Sequence, residues 1–242
     1  MKTKEARELG GRIAALVQAG QIAAAYDLLS PVLAERTRFV MLRHIGAAAG
    51  VGPLQAVNDF MERVAAEKTI GGWVVIASAL EQQLERDLAG AFDRCRDFVI
   101  FAEVWHAADT LGEGVVGQAL VACFDPALAL LKPWREHGDP WVRRAVGTGV
   151  HYWAKRSRGA TEQAARAEML LALLEPMFEE WDIKAVKGIG WGLKTLGRLY
   201  PDLVADWLRQ QVVHRQRRHR AIMLRKALTY LPDEQRARAT GK

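Results

Sequence analysis

The chain has 242 residues, half of them hydrophobic, and a formal net charge of +6. That apolar content supplies a continuous core and excludes a disordered chain, and no apolar run approaches the roughly 18 residues that a membrane span needs. The cationic balance points to an anionic partner, nucleic acid first.

The start, Met1-Lys-Thr-Lys-Glu-Ala-Arg7, is charged and lacks the apolar centre of a signal peptide, so a cytoplasmic protein is expected. Cys95 and Cys123 are the only cysteines and read as small core side chains. The six histidines are scattered without ligand spacing, so neither a metal nor a cofactor is expected.

Nearly everything reads as helix, since β-type alternation and Asn-Gly turns are missing. Leu9 to Val17 and Ile22 to Leu29 predict two short amphipathic helices around Gly20. Ser30-Pro31 reads as a helix start, with Ser as cap and Pro in the first helical position. Phe39 to Ala49 is helical and ends at Gly50. Gly52-Pro53 opens a helix running to about Lys68, Gly71-Gly72 breaks the chain, and Trp73 to Leu84 follows as a helix.

From Asp125 the punctuation becomes regular. Asp125-Pro126 and Asp139-Pro140 repeat a cap-then-proline device, Asp182 caps the next helix, and Pro201-Asp202 starts another. Helix pairs follow at about 125–135 with 139–156, 161–178 with 182–199, and 202–211 with 218–230. Asp139 and Asp182 stand about 43 residues apart, inside the roughly 40–47-residue period of HEAT-type repeats. A helix pair cannot bury its apolar face alone, so the pairs must stack. The expected fold is all-α: one curved α-solenoid of HEAT-like repeats over residues 1–242, monomeric, with its second helices lining a concave groove wide enough for a DNA duplex.

Three stretches carry the chemistry. In Trp105-His-Ala-Ala-Asp109 an indole and a carboxylate share one helix face a turn apart. Trp141-Val-Arg-Arg-Ala145 places Arg144 early in a second helix. Lys187-Gly-Ile-Gly-Trp-Gly-Leu-Lys194 places Trp191 in the middle of the next one. The glycines of that last stretch lie inside a helix and follow no strand, so they are not a dinucleotide loop; close helix packing or DNA approach explains them better. For each tryptophan the competing reading is helix-packing core, which holds with most force for Trp134, Trp141 and Trp153. For Asp109 and Arg144 it is a structural ion pair.

These three motifs, in this order and over about residues 73–230, resemble the HEAT-like-repeat DNA glycosylases of the DNA alkylation repair enzyme family. The resemblance implies an active site formed by Trp105, Asp109, Arg144 and Trp191. It also implies excision of cationic alkylated purines from double-stranded DNA without flipping the base into a pocket. The chemistry suits the residue types. Departure of a charged base develops positive charge on the sugar, which a carboxylate at Asp109 stabilises while positioning a water. Indole faces at Trp105 and Trp191 attract cations, and Arg144 holds a backbone phosphate. Candidate phosphate contacts are Arg143, Lys155, Arg156, Arg158, Lys184, Lys187 and Lys194, with Arg215, Arg217, Arg218 and Arg220 from the run His214-Arg-Gln-Arg-Arg-His-Arg220.

The family's aromatic-and-lysine motif near the N-terminus has no counterpart in residues 1–65, where Tyr26 stands in a different context. Two further readings therefore stay open: a non-catalytic HEAT-repeat binder of damaged or branched DNA, and a helical-repeat scaffold for protein interaction.

Overall fold

The computed structural model describes residues 1–241, and they are helical, with no strand among them. By its contacts the chain divides into two compact units, Met1–Val115 and Val116–Lys242, where the sequence reading expected one array.

The first unit contains α1 (Thr3–Gln18), α2 (Ile22–Ala34), α3 (Phe39–Ala49), α4 (Leu54–Ala65), α5 (Ile70–Glu81), α6 (Leu88–Ala102) and α7 (Trp105–Leu111). Helices α1, α3, α5 and α7 lie side by side in that order, and α2 and α4 pack together as a second row. A π-helical turn, Gly112–Gly117, carries the chain into the second unit. There follow α8 (Gln118–Ala122), α9 (Phe124–Leu131), α10 (Pro140–Ser157), α11 (Ala164–Leu174), α12 (Ile183–Leu199), α13 (Pro201–Arg209), α14 (Ala221–Leu228) and α15 (Asp233–Thr240). Here α8, α10, α12 and α14 form one row, and α11, α13 and α15 form the other. Each unit is thus a stack of helix pairs, an all-α helical-repeat fold. No helix among the described residues is long and apolar enough to cross a membrane.

The caps at Asp139 and Asp182 form as predicted. The Asp139 carboxylate accepts from the Trp141 and Val142 amides at 2.7 and 3.3 Å, and Asp182 accepts from the Lys184 amide at 2.8 Å. These bonds satisfy amides that have no partner inside the helix.

Three boundaries differ from the sequence reading. Pro31 sits inside α2 and does not open a helix. Proline cannot donate to the Asp27 carbonyl four residues back, and the Ser30 hydroxyl donates to that oxygen instead, at 3.3 Å. Gly71 and Gly72 lie within the first turn of α5, because Thr69 caps it by accepting from the Gly72 amide at 3.0 Å. Helix α9 begins at Phe124, so Asp125 and Pro126 occupy its first turn. The segment after Tyr230 also forms a helix, α15, which the sequence reading did not foresee.

The rows are drawn tight through glycine. A Cβ on Gly50, which follows α3, would lie 2.5 Å from the Ala79 carbonyl oxygen of α5. Between α10 and α12, a Cβ on Gly188 would lie 2.5 Å from the Arg144 carbonyl oxygen, and one on Gly192 2.7 Å from that of Gly147. Close helix packing is therefore what the glycine-rich stretch of α12 provides.

Gly147→Ala pushes its new methyl into the backbone at Gly188 and Ile189. Overpacking against backbone costs about 1–3 kcal/mol or more, so the melting temperature should drop by roughly 4–10 °C. Gly11→Ala, on α1 with nothing within 4 Å of its Cβ, should raise it slightly. Thermal unfolding followed by circular dichroism checks both.

Candidate nucleic-acid interface

In the first unit α6 ends on Glu103 in the left-handed conformation (φ 53°), which turns the chain so that α7 starts at Trp105. Ala107 and Ala108 bury one face of this short helix against α5 and α6. The other face carries Trp105, which is 58 % exposed, and Asp109, half-buried one turn later. The His106 ring meets the Trp105 ring edge-on, with centroids 5.6 Å apart. Burial pushes the His106 pKa down, and the opposing pull of Asp109 does not outweigh it. At neutral pH His106 is therefore neutral and does not offset the Asp109 charge. An exposed indole is not a core side chain, which settles the competing reading for Trp105.

The second unit brings the other two residues to neighbouring helices. Arg144 on α10 is only 7 % exposed. Its Nη1 donates to the Lys184 carbonyl at 3.1 Å, and its guanidinium lies 5.9 Å from the centre of the Trp141 ring. The Lys184 ammonium lies over the same ring at 5.0 Å. Trp141 is thus a cation platform as well as a packing residue, whereas Trp134 and Trp153 are core, as expected.

Trp191 on α12 is half-buried and stacks on His151 of α10, with ring centroids 3.8 Å apart and planes 22° from parallel. The Thr195 hydroxyl donates to the Trp191 carbonyl at 3.1 Å and stands 2.7 Å from His151 Nδ1. A hydroxyl has one proton to donate, so Nδ1 must be the donor in the second bond. Burial, followed by the charges of Lys155 and Lys194, pushes the His151 pKa down to about 4. A neutral imidazole, fixed in one tautomer, therefore backs Trp191.

The basic candidates separate into two sets. Lys155, Arg158, Lys187 and Arg218 are exposed and have no carboxylate partner among the described residues. Arg156 lies against Tyr152, with Nε 3.2 Å from the phenol oxygen. Lys194 stands over the ring of Tyr230 at 4.5 Å, with Arg198 on the same ring at 5.6 Å. Other members of the predicted set brace the fold. Arg143 grips Glu180 at 2.5 and 3.3 Å, Arg215 and Arg217 both hold Glu175, and Arg220 donates to the Trp181 carbonyl at 2.6 Å.

The sequence reading missed His151, Thr195, Arg198 and Tyr230. A signal existed for two of them. Positions 141, 144, 148, 151 and 155 on α10 repeat the three-and-four spacing of positions 184, 187, 191, 194 and 198 on α12. That spacing puts each set on one helix face. Tyr26 is buried under the Arg63 guanidinium, 3.7 Å from its ring centre, and so belongs to the packing of the first unit.

A buried neutral His151 has a defined pH signature. Unfolded, it titrates near 6.5; folded, near 4, so between those values the unfolded chain binds more protons. Its contribution to stability is complete above about pH 6.5 and shrinks as the pH falls toward about 4. The melting-temperature advantage of the wild type over His151→Gln should therefore narrow from about pH 7 to about pH 4.5. A constant advantage would mean that the ring is not held neutral.

Comparison with known proteins identifies the family. No curated protein and no solved structure matches the chain significantly. The sequence model described as "DNA alkylation repair enzyme" matches residues 54–231, well over half of the chain and all three site motifs. The protein belongs to the DNA alkylation repair enzyme family, which gives it a role in DNA repair and DNA as its partner.

Proposed function

We propose that the protein is a DNA glycosylase that hydrolyses the N-glycosidic bond of purines made cationic by alkylation at N3 or N7. Substrates of this kind are 3-methyladenine, 7-methylguanine and bulkier adducts. The observation that carries the DNA-facing half of the reading is a charge pattern. Helices α10, α12 and α14, packed side by side, hold four, four and two lysines or arginines and no aspartate or glutamate. The other row keeps its acids: Glu168 on α11, Asp202 and Asp206 on α13, Asp233 and Glu234 on α15. A row of helices cleared of carboxylates suits a polyanion that would be repelled by them.

The chemistry rests on Asp109, the one carboxylate of α7, and its exposed neighbour Trp105. The bond from C1′ of the deoxyribose to N9 of the purine breaks, and its electron pair goes to the purine and cancels the lesion's positive charge. The sugar becomes oxocarbenium-like, and the Asp109 carboxylate stabilises it. A water oxygen then bonds to C1′, and its proton passes to Asp109 and on to solvent. The lesion carries its own activating charge, so no acid is needed to protonate the leaving base.

In this reading Trp105 and Trp191 pack on the sugars and attract the cationic lesion with their ring faces. Arg144 serves a backbone phosphate, and Lys155, Arg158, Lys184, Lys187, Lys194 and Arg218 track the strands. A base that stays stacked needs no enclosing pocket, so bulky adducts are admitted. We further propose that the protein serves base excision repair as a monomer in the cytoplasm.

The test is release of free base from a duplex carrying a single 7-methylguanine. Asp109→Asn should lower single-turnover excision by at least about a hundredfold, the scale on which a lost transition-state electrostatic contact is felt. Duplex affinity should stay within about threefold. Undiminished release by Asp109→Asn would refute the assignment. Tight binding with no release by the wild type, even from a bulky N7 adduct, would favour a non-catalytic DNA binder.

A further inference from the structure

The residue before the Asp182 cap is a tryptophan that no part of the proposed excision chemistry uses. Trp181 is 58 % exposed, as exposed as Trp105. Its backbone, in contrast, is held from both sides. The Trp181 amide donates to Glu180 Oε1 at 3.0 Å, and the same oxygen accepts from the Asp182 amide at 2.8 Å. Glu180 is itself gripped by Arg143 of α10. On the other side Arg220, at the entrance to α14, donates Nη1 to the Trp181 carbonyl at 2.6 Å. Three segments of the second unit thus fix the main chain that carries a solvent-facing indole. An exposed tryptophan in a rigid setting is preorganised to receive something on its ring.

The surroundings name the chemistry of that ligand. Trp181 lines a cavity of about 460 Å³ with Ile183, His219, Arg220, Ala221 and Ile222. An adjoining cavity of about 560 Å³ shares His219 and Ala221 and adds Arg225 and Arg236. No carboxylate lines either one. Of the acids nearest in sequence, Glu180 is held by Arg143, Asp182 by the amide that it caps and Glu175 by Arg215 and Arg217, while Glu179 reaches Arg217 only at 3.9 Å. Arg220 holds the Trp181 carbonyl and has no carboxylate partner among the described residues. An aromatic face on an apolar floor with a cationic rim matches a nucleobase joined to phosphates. Inside a duplex every base face is covered by its neighbours, so away from the duplex ends only an unpaired base can stack there.

We propose that Trp181, with Arg220 beside it, is a stacking site for an unpaired nucleotide of DNA. This is a binding function separate from the excision reading, and it does not need Asp109. Trp181 lies two residues before α12, and Ile183, the first residue of that helix, is about 12 Å from Trp191 along its axis. That is on the order of four stacked nucleotides along one strand. The site therefore gives the protein a preference for duplexes that carry a flap, gap or single-stranded tail a few nucleotides from the position at Trp191.

The test uses the full chain with the Asp109→Asn change, so that no substrate is consumed. Affinities are measured for a blunt duplex, the same duplex with a single-stranded thymidine tail, and the tail alone. Trp181 is exposed, so Trp181→Ala should fold, which its unchanged circular dichroism and melting temperature verify. The expected result is tighter binding of the tailed than of the blunt duplex. Trp181→Ala should lose about tenfold on the tailed duplex and less than twofold on the blunt one, with Trp181→Phe in between. The tail should also quench tryptophan fluorescence in the parent and not in Trp181→Ala. Equal affinity for both duplexes in the parent overturns the proposal. So does an equal loss on both duplexes in Trp181→Ala, which would make Trp181 an ordinary duplex contact. Indifference of every DNA to Trp181→Ala would point instead to a protein partner on this surface. None of these outcomes depends on base release, so the excision reading stands or falls apart from them.

Discussion

The second unit depends on the approach of α10 to α12. Gly147, Gly188 and Gly192 let the two backbones come so near that no Cβ fits between them. Everything described on that face follows from this contact. It sets the register in which Arg144 reaches the Lys184 carbonyl, Lys184 covers Trp141, and His151 stacks on Trp191. A larger residue at any of the three glycines would part the helices, and each of these contacts spans the resulting gap. Packing is all-or-none on this scale, because interiors are dense and do not deform smoothly.

The same proximity explains the electrostatics. Two adjacent helices with four cations each repel one another, and the face holds together because its charges are distributed among other contacts. The Arg144 guanidinium meets a carbonyl and a ring, Lys184 and Lys194 lie over rings, and the Lys226 ammonium donates to the Lys187 carbonyl. Aromatic faces and main-chain carbonyls hold cations without cancelling their charge. A carboxylate would hold them better and would remove the field that draws DNA. Acid–base pairs lie off this row, as Arg215 and Arg217 with Glu175 and Arg238 with Asp202 and Asp206, although Arg143 of α10 is paired with Glu180.

How much of this was legible in the sequence depended on whether a signal was local. The Asp139 and Asp182 caps need only residues two and three positions onward, and they were read correctly. So was the helix carrying Trp105 and Asp109. Pro31 misled because its effect is undone by the neighbouring Ser30 hydroxyl, a bond that proline statistics do not contain. Gly71 and Gly72 misled because a glycine pair signals both a break and a first turn, and the Thr69 cap decides between them. The basic run at 214–220 reads as one cluster along the chain. In space it divides, since Glu175 lies some forty residues away in sequence and captures two of its members. Long-range capture of this sort cannot be seen in one sequence.

The site shows the same division between local and distant information. Asp109, Arg144 and Trp191 could be named because each sits in its own short motif. His151 could not, because nothing beside it in the chain marks it; its meaning lies in a ring and a hydroxyl on the next helix. Yet its position follows from the register. If α10 and α12 are matched at Asp139 and Asp182, then residues 148 to 152 must face the turn that contains Trp191, and among them only His151 and Tyr152 bear rings. A histidine there must be neutral, because it is buried between Lys155 and Lys194 and a third charge among them would be repelled. A neutral ring against one face of Trp191 leaves the cation-attracting capacity of the other face intact, whereas an imidazolium would already have used it. In the excision reading proposed above, a neutral His151 leaves the other face of Trp191 to the charged base.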